Sequence, residues 1–215
     1  FKVCKTDLKI YCYNPRSLLL EMPGVQLAPG PITVVQIGAN NWKRDPLRKE
    51  LKKNRWRMLF VEPIPQVFGR IVDSYRDKSY FHHLTFENCA IAEADGERDF
   101  YVSRRQSRIS ALDNTTRKIQ TELEKDACDV IRVNTMSLPT LFRKHRIEEL
   151  ELLVIDTEGY DFRVLKAHDW VVKPKEIRYE HVHIDAGECR RFLESKGYDV
   201  KERDAIDSIA TRRDA

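Results

Sequence analysis

The stretch Val34-Val35-Gln36-Ile37-Gly38-Ala39-Asn40-Asn41 decides the fold: an apolar run that ends in a glycine turn. A second run, Leu59-Phe60-Val61, ends in Glu62-Pro63. Short apolar runs bounded by such turns read as strands buried on both faces, which implies a mostly parallel sheet covered by helices. Glycine lets the backbone approach a ligand where a side chain would clash, and a carboxylate one strand further on can accept hydrogen bonds from two ribose hydroxyls. Gly38 and Glu62 lie 24 positions apart, near the roughly 20 of a nucleoside-binding unit. An ordinary βαβ unit, with Gly38 a turn and Glu62 a solvated strand end, fits the same residues. The residues after Gly38 narrow the ligand class. Gly38-Ala39-Asn40-Asn41-Trp42-Lys43 has no second or third glycine, which a pyrophosphate at a helix start would require. A cofactor with ribose and no phosphate is favoured over NAD.

Outward from this unit, strands and helices alternate. Residues 33–37 read as a strand, 46–54 as a helix, 57–61 as a strand and 65–75 as a helix with proline at its start. A strand over 86–92 comes next, then a turn at Asp95-Gly96 into a strand over 97–102. Residues 103–129 are polar, carry Arg104, Arg105 and Arg108, and form a candidate lid with a helix over 113–125. Beyond it lie a strand over 130–134, a helix over 137–145 capped by Ser137, a strand over 150–155 and a helix over 161–167. A strand over 176–182, a helix over 187–196 and an antiparallel hairpin pairing 198–201 with 208–211 complete the chain. Residues 1–31, punctuated by Pro15, Pro23, Gly24, Pro29, Gly30 and Pro31, form a lead-in to a single domain over 32–215.

Composition bounds the function classes. A chain of 215 residues that is 41% hydrophobic can bury a core of its own. A net charge of +4 does not call for nucleic acid, and the basic residues from Lys43 to Arg57 read as a solvated helix face. The five cysteines, Cys4, Cys12, Cys89, Cys128 and Cys189, contain no C-x-x-C pair, so neither zinc nor a disulfide framework is indicated. A reduced, cytoplasmic setting is the default expectation. A secretory route is the alternative, since Cys4 and Cys12 could bridge, Asn114-Thr115-Thr116 is a glycosylation acceptor, and a leader could precede Phe1. No run of about 18 apolar residues offers a membrane span.

Two further strand ends carry chemistry. The strand over 150–155 runs into Asp156-Thr157-Glu158-Gly159-Tyr160-Asp161, three carboxylates at the edge where open α/β sheets bind ligands. Their repulsion must be offset by a cation, a donor or a substrate proton. Asp161 reads as the charge at a helix start; Asp156 and Glu158 read as site residues. The strand over 176–182 ends in Tyr179-Glu180-His181-Val182-His183. Alternation places His181 and His183 on one face and Glu180 on the other, so the two histidines could share a site and take a proton from a substrate hydroxyl.

In order along the chain, Gln36-Ile37-Gly38-Ala39-Asn40, Asp45-Pro46-Leu47, Phe60-Val61-Glu62-Pro63, Asn88-Cys89-Ala90-Ile91, Ile155-Asp156-Thr157-Glu158-Gly159-Tyr160-Asp161, Val164-Leu165-Lys166 and Tyr179-Glu180-His181 resemble the FkbM-type methyltransferases. The resemblance covers residues 34–211. It implies the class I, Rossmann-like fold, a mostly parallel twisted sheet with helices on both faces and a C-terminal antiparallel hairpin. It also implies S-adenosylmethionine as cofactor, with Gly38, Ala39 and Asn40 around its amino-acid end, Glu62 at the ribose hydroxyls, and Gln36 and Pro63 among the cofactor-binding residues. Asn88, Ala90 and Ile91 would then lie beside the adenine, and Asp156 and Glu158 would border the transfer site. The relation points to an oxygen acceptor on a small molecule or glycan, with His181 as base and Glu180 and His183 behind it. A divalent metal among Asp156, Glu158 and His181 is chemically reasonable, but no complete ligand set can be assigned, so no metal is expected. The chain departs from the family at Asn41-Trp42, where an acidic residue and glycine are frequent. That departure keeps a cofactor-free interaction module as an alternative, with an NAD-dependent oxidoreductase a more distant one.

Overall fold

The computed structural model describes residues 30–39, 47–54, 56–104, 110–112, 120–121, 125 and 127–214. Its backbone is a seven-stranded sheet built from β1 (Val34–Ile37), β2 (Met58–Val61), β3 (Leu84–Glu87), β8 (Leu152–Ile155), β9 (Glu176–Glu180), β10 (Tyr198–Glu202) and β11 (Asp207–Arg212). The spatial order is β10-β11-β9-β8-β1-β2-β3. The pairs β8–β9, β8–β1, β1–β2 and β2–β3 are parallel, and β11 alone runs against its neighbours β9 and β10. This is the expected class I arrangement. From β1 the chain order runs outward through β2 and β3 on one side and through β8 and β9 on the other. The topological switch point, where such sheets open a crevice at their carboxyl ends, therefore lies between β1 and β8.

Strand alternation divides the core into two layers. Val35, Ile37, Leu59, Val61, Leu153, Ile155 and Ile177 pack on one face with the helices α3 (Leu138–His145), α4 (Asp161–Ala167) and α5 (Ala186–Ser195). Val34, Met58, Phe60, Leu84, Phe86 and Leu152 pack on the other with α1 (Leu47–Asn54) and α2 (Pro65–Arg76). Gln36 belongs by its parity to this second face, a polar residue in a fully buried strand.

The expected strand over 86–92 is two strands in two sheets. After β3 the chain leaves the main sheet at Asn88, whose side-chain amide donates to the carbonyls of Glu62 and Pro63 at 2.7 and 3.1 Å. It then enters β4 (Ala90–Ile91), the edge of a four-stranded sheet ordered β4-β7-β5-β6. Here β5 is Gly96–Ser103, β6 is Ser110–Ala111 and β7 is Cys128–Met136. The long β5–β7 pair is antiparallel and buries Phe100 and Val133 against the α1–α2 layer. Alternation in 97–102 and 130–134 announces strands; it does not say that they form a sheet of their own, because pairing partners are set by contacts distant in sequence.

The helix ends obey local chemistry. Ser137 caps α3 as expected, its hydroxyl accepting from the Thr140 N–H, and Asp95 in the β4–β5 turn reinforces it by accepting from the Ser137 N–H at 2.8 Å. The hairpin β10–β11 forms with Tyr198 facing Arg212. Cys89, Cys128 and Cys189 are buried thiols. Cys4, Cys12, Asn40, Asn41, Trp42, Arg105, Arg108, Asn114 and most of the candidate lid lie outside the described residues. Among those described, no helix is long and apolar enough to cross a membrane.

Candidate functional site

Gly38 ends β1 with φ +79°, a conformation that side chains resist. A β-carbon there would stand 1.8 Å from the carbonyl oxygen of Asp156. The close approach that requires glycine is thus between the two loops at the switch point, after β1 and after β8, and the expected contact with a ligand is not what dictates it. The Gly38 N–H donates to the Val61 carbonyl at 3.0 Å and the Asp156 N–H to the Ile37 carbonyl at 3.1 Å. Three strand ends are locked into one edge, with Ala39 buried just beyond.

Glu62 lies at that edge and is buried. Its Oε1 accepts from the Ile64 N–H at 2.9 Å, while its Oε2 is buried with no hydrogen-bond partner among the described residues. Burial pushes its carboxyl up to about 7; the Ile64 hydrogen bond pulls it back, Asp156 raises it further and Arg70 lowers it. The Oε1 of Gln36 is likewise buried without a partner among the described residues. Orphaned buried acceptors cost free energy unless a donor arrives. Two such acceptors beside a tight glycine turn fit the hydroxyls of a ribose. Asn88 acts here through the backbone, holding the end of β3 to Glu62 and Pro63. The side chains of Ala90 and Ile91 are committed to the two core layers, so this segment would meet an adenine through its backbone.

The loop from Asp156 to Asp161 is organised by its last residue. The Asp161 carboxylate is completely buried and accepts from the Thr157 N–H at 3.2 Å, the Thr157 hydroxyl at 2.6 Å and the Glu180 N–H at 3.3 Å. Burial pushes it up to about 7, the Thr157 hydroxyl counters, and the charge of Asp156 adds to the rise. Asp161 thereby staples the loop after β8 to the end of β9, a role beyond the helix-start charge read from the sequence. The staple also holds Glu158 in the left-handed region at φ 54°, a conformation costing about 1–2 kcal/mol in a residue with a β-carbon. Asp156 is exposed at the rim, and Glu158 is half-buried.

The histidines separate. Strand β9 ends at Glu180 and the chain turns through 182–183, so alternation stops one residue too early to place His181 and His183 together. Glu180 and His183 converge instead, with Oε1 and Nε2 3.7 Å apart, and Glu158 joins them. His181 faces the C-terminal hairpin: its N–H donates to the Ile206 carbonyl and its Nδ1 lies 3.0 Å from the Ser208 hydroxyl. A further group was not read from the sequence. The Tyr160 hydroxyl donates to Glu93 and accepts from Arg98 at 2.9 Å, and Arg163 reaches Glu93 at 3.1 Å. This cluster ties the β4–β5 turn to α4, and Tyr160 inside the acidic motif is its one sequence signal.

The family model for the methyltransferase FkbM domain matches residues 36–200, more than half of the chain. Among solved structures, methyltransferase FkbM from Methylobacillus flagellatus KT superposes with a TM-score of 0.54 at 12% identity, covering 84% of this chain and 43% of that one. The likeness is one of fold, and this chain spans less than half the length of that protein. Precorrin-6y C5,15-methyltransferase from Geobacter metallireducens GS-15 superposes less well, with a TM-score of 0.45 at 13% identity over 97% of this chain and 93% of that one. So does the fibrillarin pre-rRNA processing protein of Methanococcus jannaschii, with a TM-score of 0.43 at 12% identity over 87% of this chain and 70% of that one. No curated protein sequence matches the chain. S-adenosylmethionine, the cofactor of such methyltransferases, has the ribose that the orphaned acceptors at Glu62 and Gln36 suit, and lacks the phosphates that the single-glycine turn would not hold. With the family model matching residues 36–200, the chain belongs to the FkbM methyltransferase family.

Proposed function

We propose that this chain methylates a hydroxyl oxygen of a small molecule or glycan with S-adenosylmethionine as donor. The observation that carries the reading is Glu62: a buried carboxylate at the end of β2, with an oxygen left for a donor, beside the Gly38 turn and inside the family match. When bound, the cofactor supplies an electrophilic methyl carbon on a sulfonium.

The residues of the chain would then divide the work. Glu62 and Gln36 hold the ribose, Gly38 and Ala39 shape the turn around the amino-acid end, with Asn40 expected there, and the segment from Asn88 to Ile91 lines the adenine side with Pro63. Asp156 and Glu158 at the rim orient the acceptor hydroxyl by accepting its hydrogen bond, and alignment of that oxygen is the main demand of an in-line displacement. His181, the base expected from the sequence, faces Ser208 of the C-terminal hairpin, and proton removal is assigned instead to the rim carboxylates that accept the hydrogen bond of the hydroxyl.

Calorimetric titration with S-adenosylmethionine, S-adenosylhomocysteine and NAD tests the reading, repeated on Glu62→Ala. Binding of the two adenosyl ligands, weakened by about 1.5–3 kcal/mol in the variant, is the expected result. Absence of adenosyl binding would overturn it in favour of the interaction module, and binding of NAD alone would revive the oxidoreductase.

A further inference from the structure

Glu158, Glu180 and His183 come from two segments that the chain need not have brought together. Each offers one ligand atom, and the three atoms lie within 4.8 Å of one another. The Asp161 staple holds both segments, taking hydrogen bonds from Thr157 beside Glu158 and from the backbone of Glu180. Oε1 of Glu180 and Nε2 of His183, at 3.7 Å, are too far apart for a hydrogen bond between them. They are well separated for two ligands of one ion. Neighbouring ligands at about 2.1 Å from a metal stand about 3 Å apart and opposite ones about 4.2 Å, so modest side-chain adjustment would bring all three onto one centre.

The charge around the trio points the same way. Asp156 lies exposed two residues before Glu158, so the carboxyl edge of the sheet crowds negative groups around the trio. The side chains of Glu180 and His183 are 12% and 24% exposed, which shelters ligands while leaving one side open to solvent.

We propose that Glu158, Glu180 and His183 form a divalent-cation site at the rim of the candidate active site. Two carboxylates and one imidazole suit borderline Zn2+, or Mn2+, which is hard but dehydrates more readily than Mg2+ and accepts an imidazole, better than Mg2+, which prefers an all-oxygen, largely hydrated shell. With three protein ligands, positions remain open for water or for an oxygen of the acceptor, whose proton an adjacent cation would make easier to remove. The sequence alone points to a different trio, Asp156, Glu158 and His181; only the end of β9 at Glu180 exchanges the histidines.

The test is a titration of the whole chain with MnCl2 without cofactor, tracking the free-ion electron paramagnetic resonance signal and the heat of binding. A single saturable site is expected. His183→Ala and Glu180→Gln should each weaken it at least about tenfold, while Glu148→Gln, on the exposed surface, should leave it unchanged. Glu158→Gln, in a half-buried loop, decides the matter if a β9 variant does not fold. Absence of saturable binding, or equal binding by the parent, Glu158→Gln and His183→Ala, would overturn the proposal. S-adenosylhomocysteine titrated into the same samples keeps the two readings apart. S-adenosylhomocysteine binding together with no saturable Mn2+ binding removes the cation site alone, and Mn2+ binding together with no S-adenosylhomocysteine binding keeps the site and removes the methyltransferase reading.

Discussion

On the proposed function, Glu62 should set the pH dependence of adenosyl binding. Its carboxyl is raised from 4.5 to about 7 chiefly by burial, so in the unliganded fold it is about half protonated at pH 7. Ribose hydroxyls donate better to the carboxylate. If the ionised form alone accepts them, the competent fraction rises from about one-tenth at pH 6 to about nine-tenths at pH 8, which is about a tenfold gain in affinity. Calorimetry with methylthioadenosine, which has the ribose and lacks the titratable amino-acid end, reads this directly. At pH 7 binding should release about half a proton, seen as a dependence of the heat on buffer ionisation. Stability moves the other way. With the folded pKa above the unfolded one, the contribution of Glu62 is full below about pH 4.5 and is lost as pH rises through about 7, about 3 kcal/mol in all. Glu62→Gln should therefore flatten the binding profile, weaken binding at pH 8 by about 1.5–3 kcal/mol, and make the unliganded protein more stable there by removing the share of Glu62 in the stability loss while leaving that of Asp161. Affinity that is flat from pH 6 to 8, or a slope that persists in Glu62→Gln, would refute the reasoning.

Gly38→Ala combines a left-handed backbone with a β-carbon 1.8 Å from the Asp156 carbonyl. It should cost at least about 2 kcal/mol in urea unfolding and abolish adenosyl binding; a folded variant of parental stability would contradict the packing described. Asp161→Asn replaces one acceptor of a three-bond staple by a donor, with an expected loss of about 1–3 kcal/mol in the same assay. A change within about 0.5 kcal/mol would show the staple to be dispensable.

Much of the fold was legible because it rests on short-range patterns. Apolar runs such as Val34-Val35 and Leu59-Phe60-Val61 mark buried strands whatever surrounds them, and Ser137 caps its helix through a partner three residues away. The same holds for Gly38 and Glu62, which end their strands where the sequence puts them. The second sheet was not legible. Residues 97–102 and 130–134 alternate as strands, but nothing in either stretch names its neighbour.

The sequence by itself determined most elements of the main sheet, the candidate strand ends and the family, because each is written in contiguous residues and their spacing. The tertiary structure alone decided which of those residues meet. It set Gly38 against the Asp156 carbonyl, drew Glu158 to Glu180 through the buried Asp161, and sent His183 to the acidic rim and His181 to Ser208. A strand that ends one or two residues earlier than its composition suggests redirects every side chain after it, and that ending is fixed by partners far along the chain.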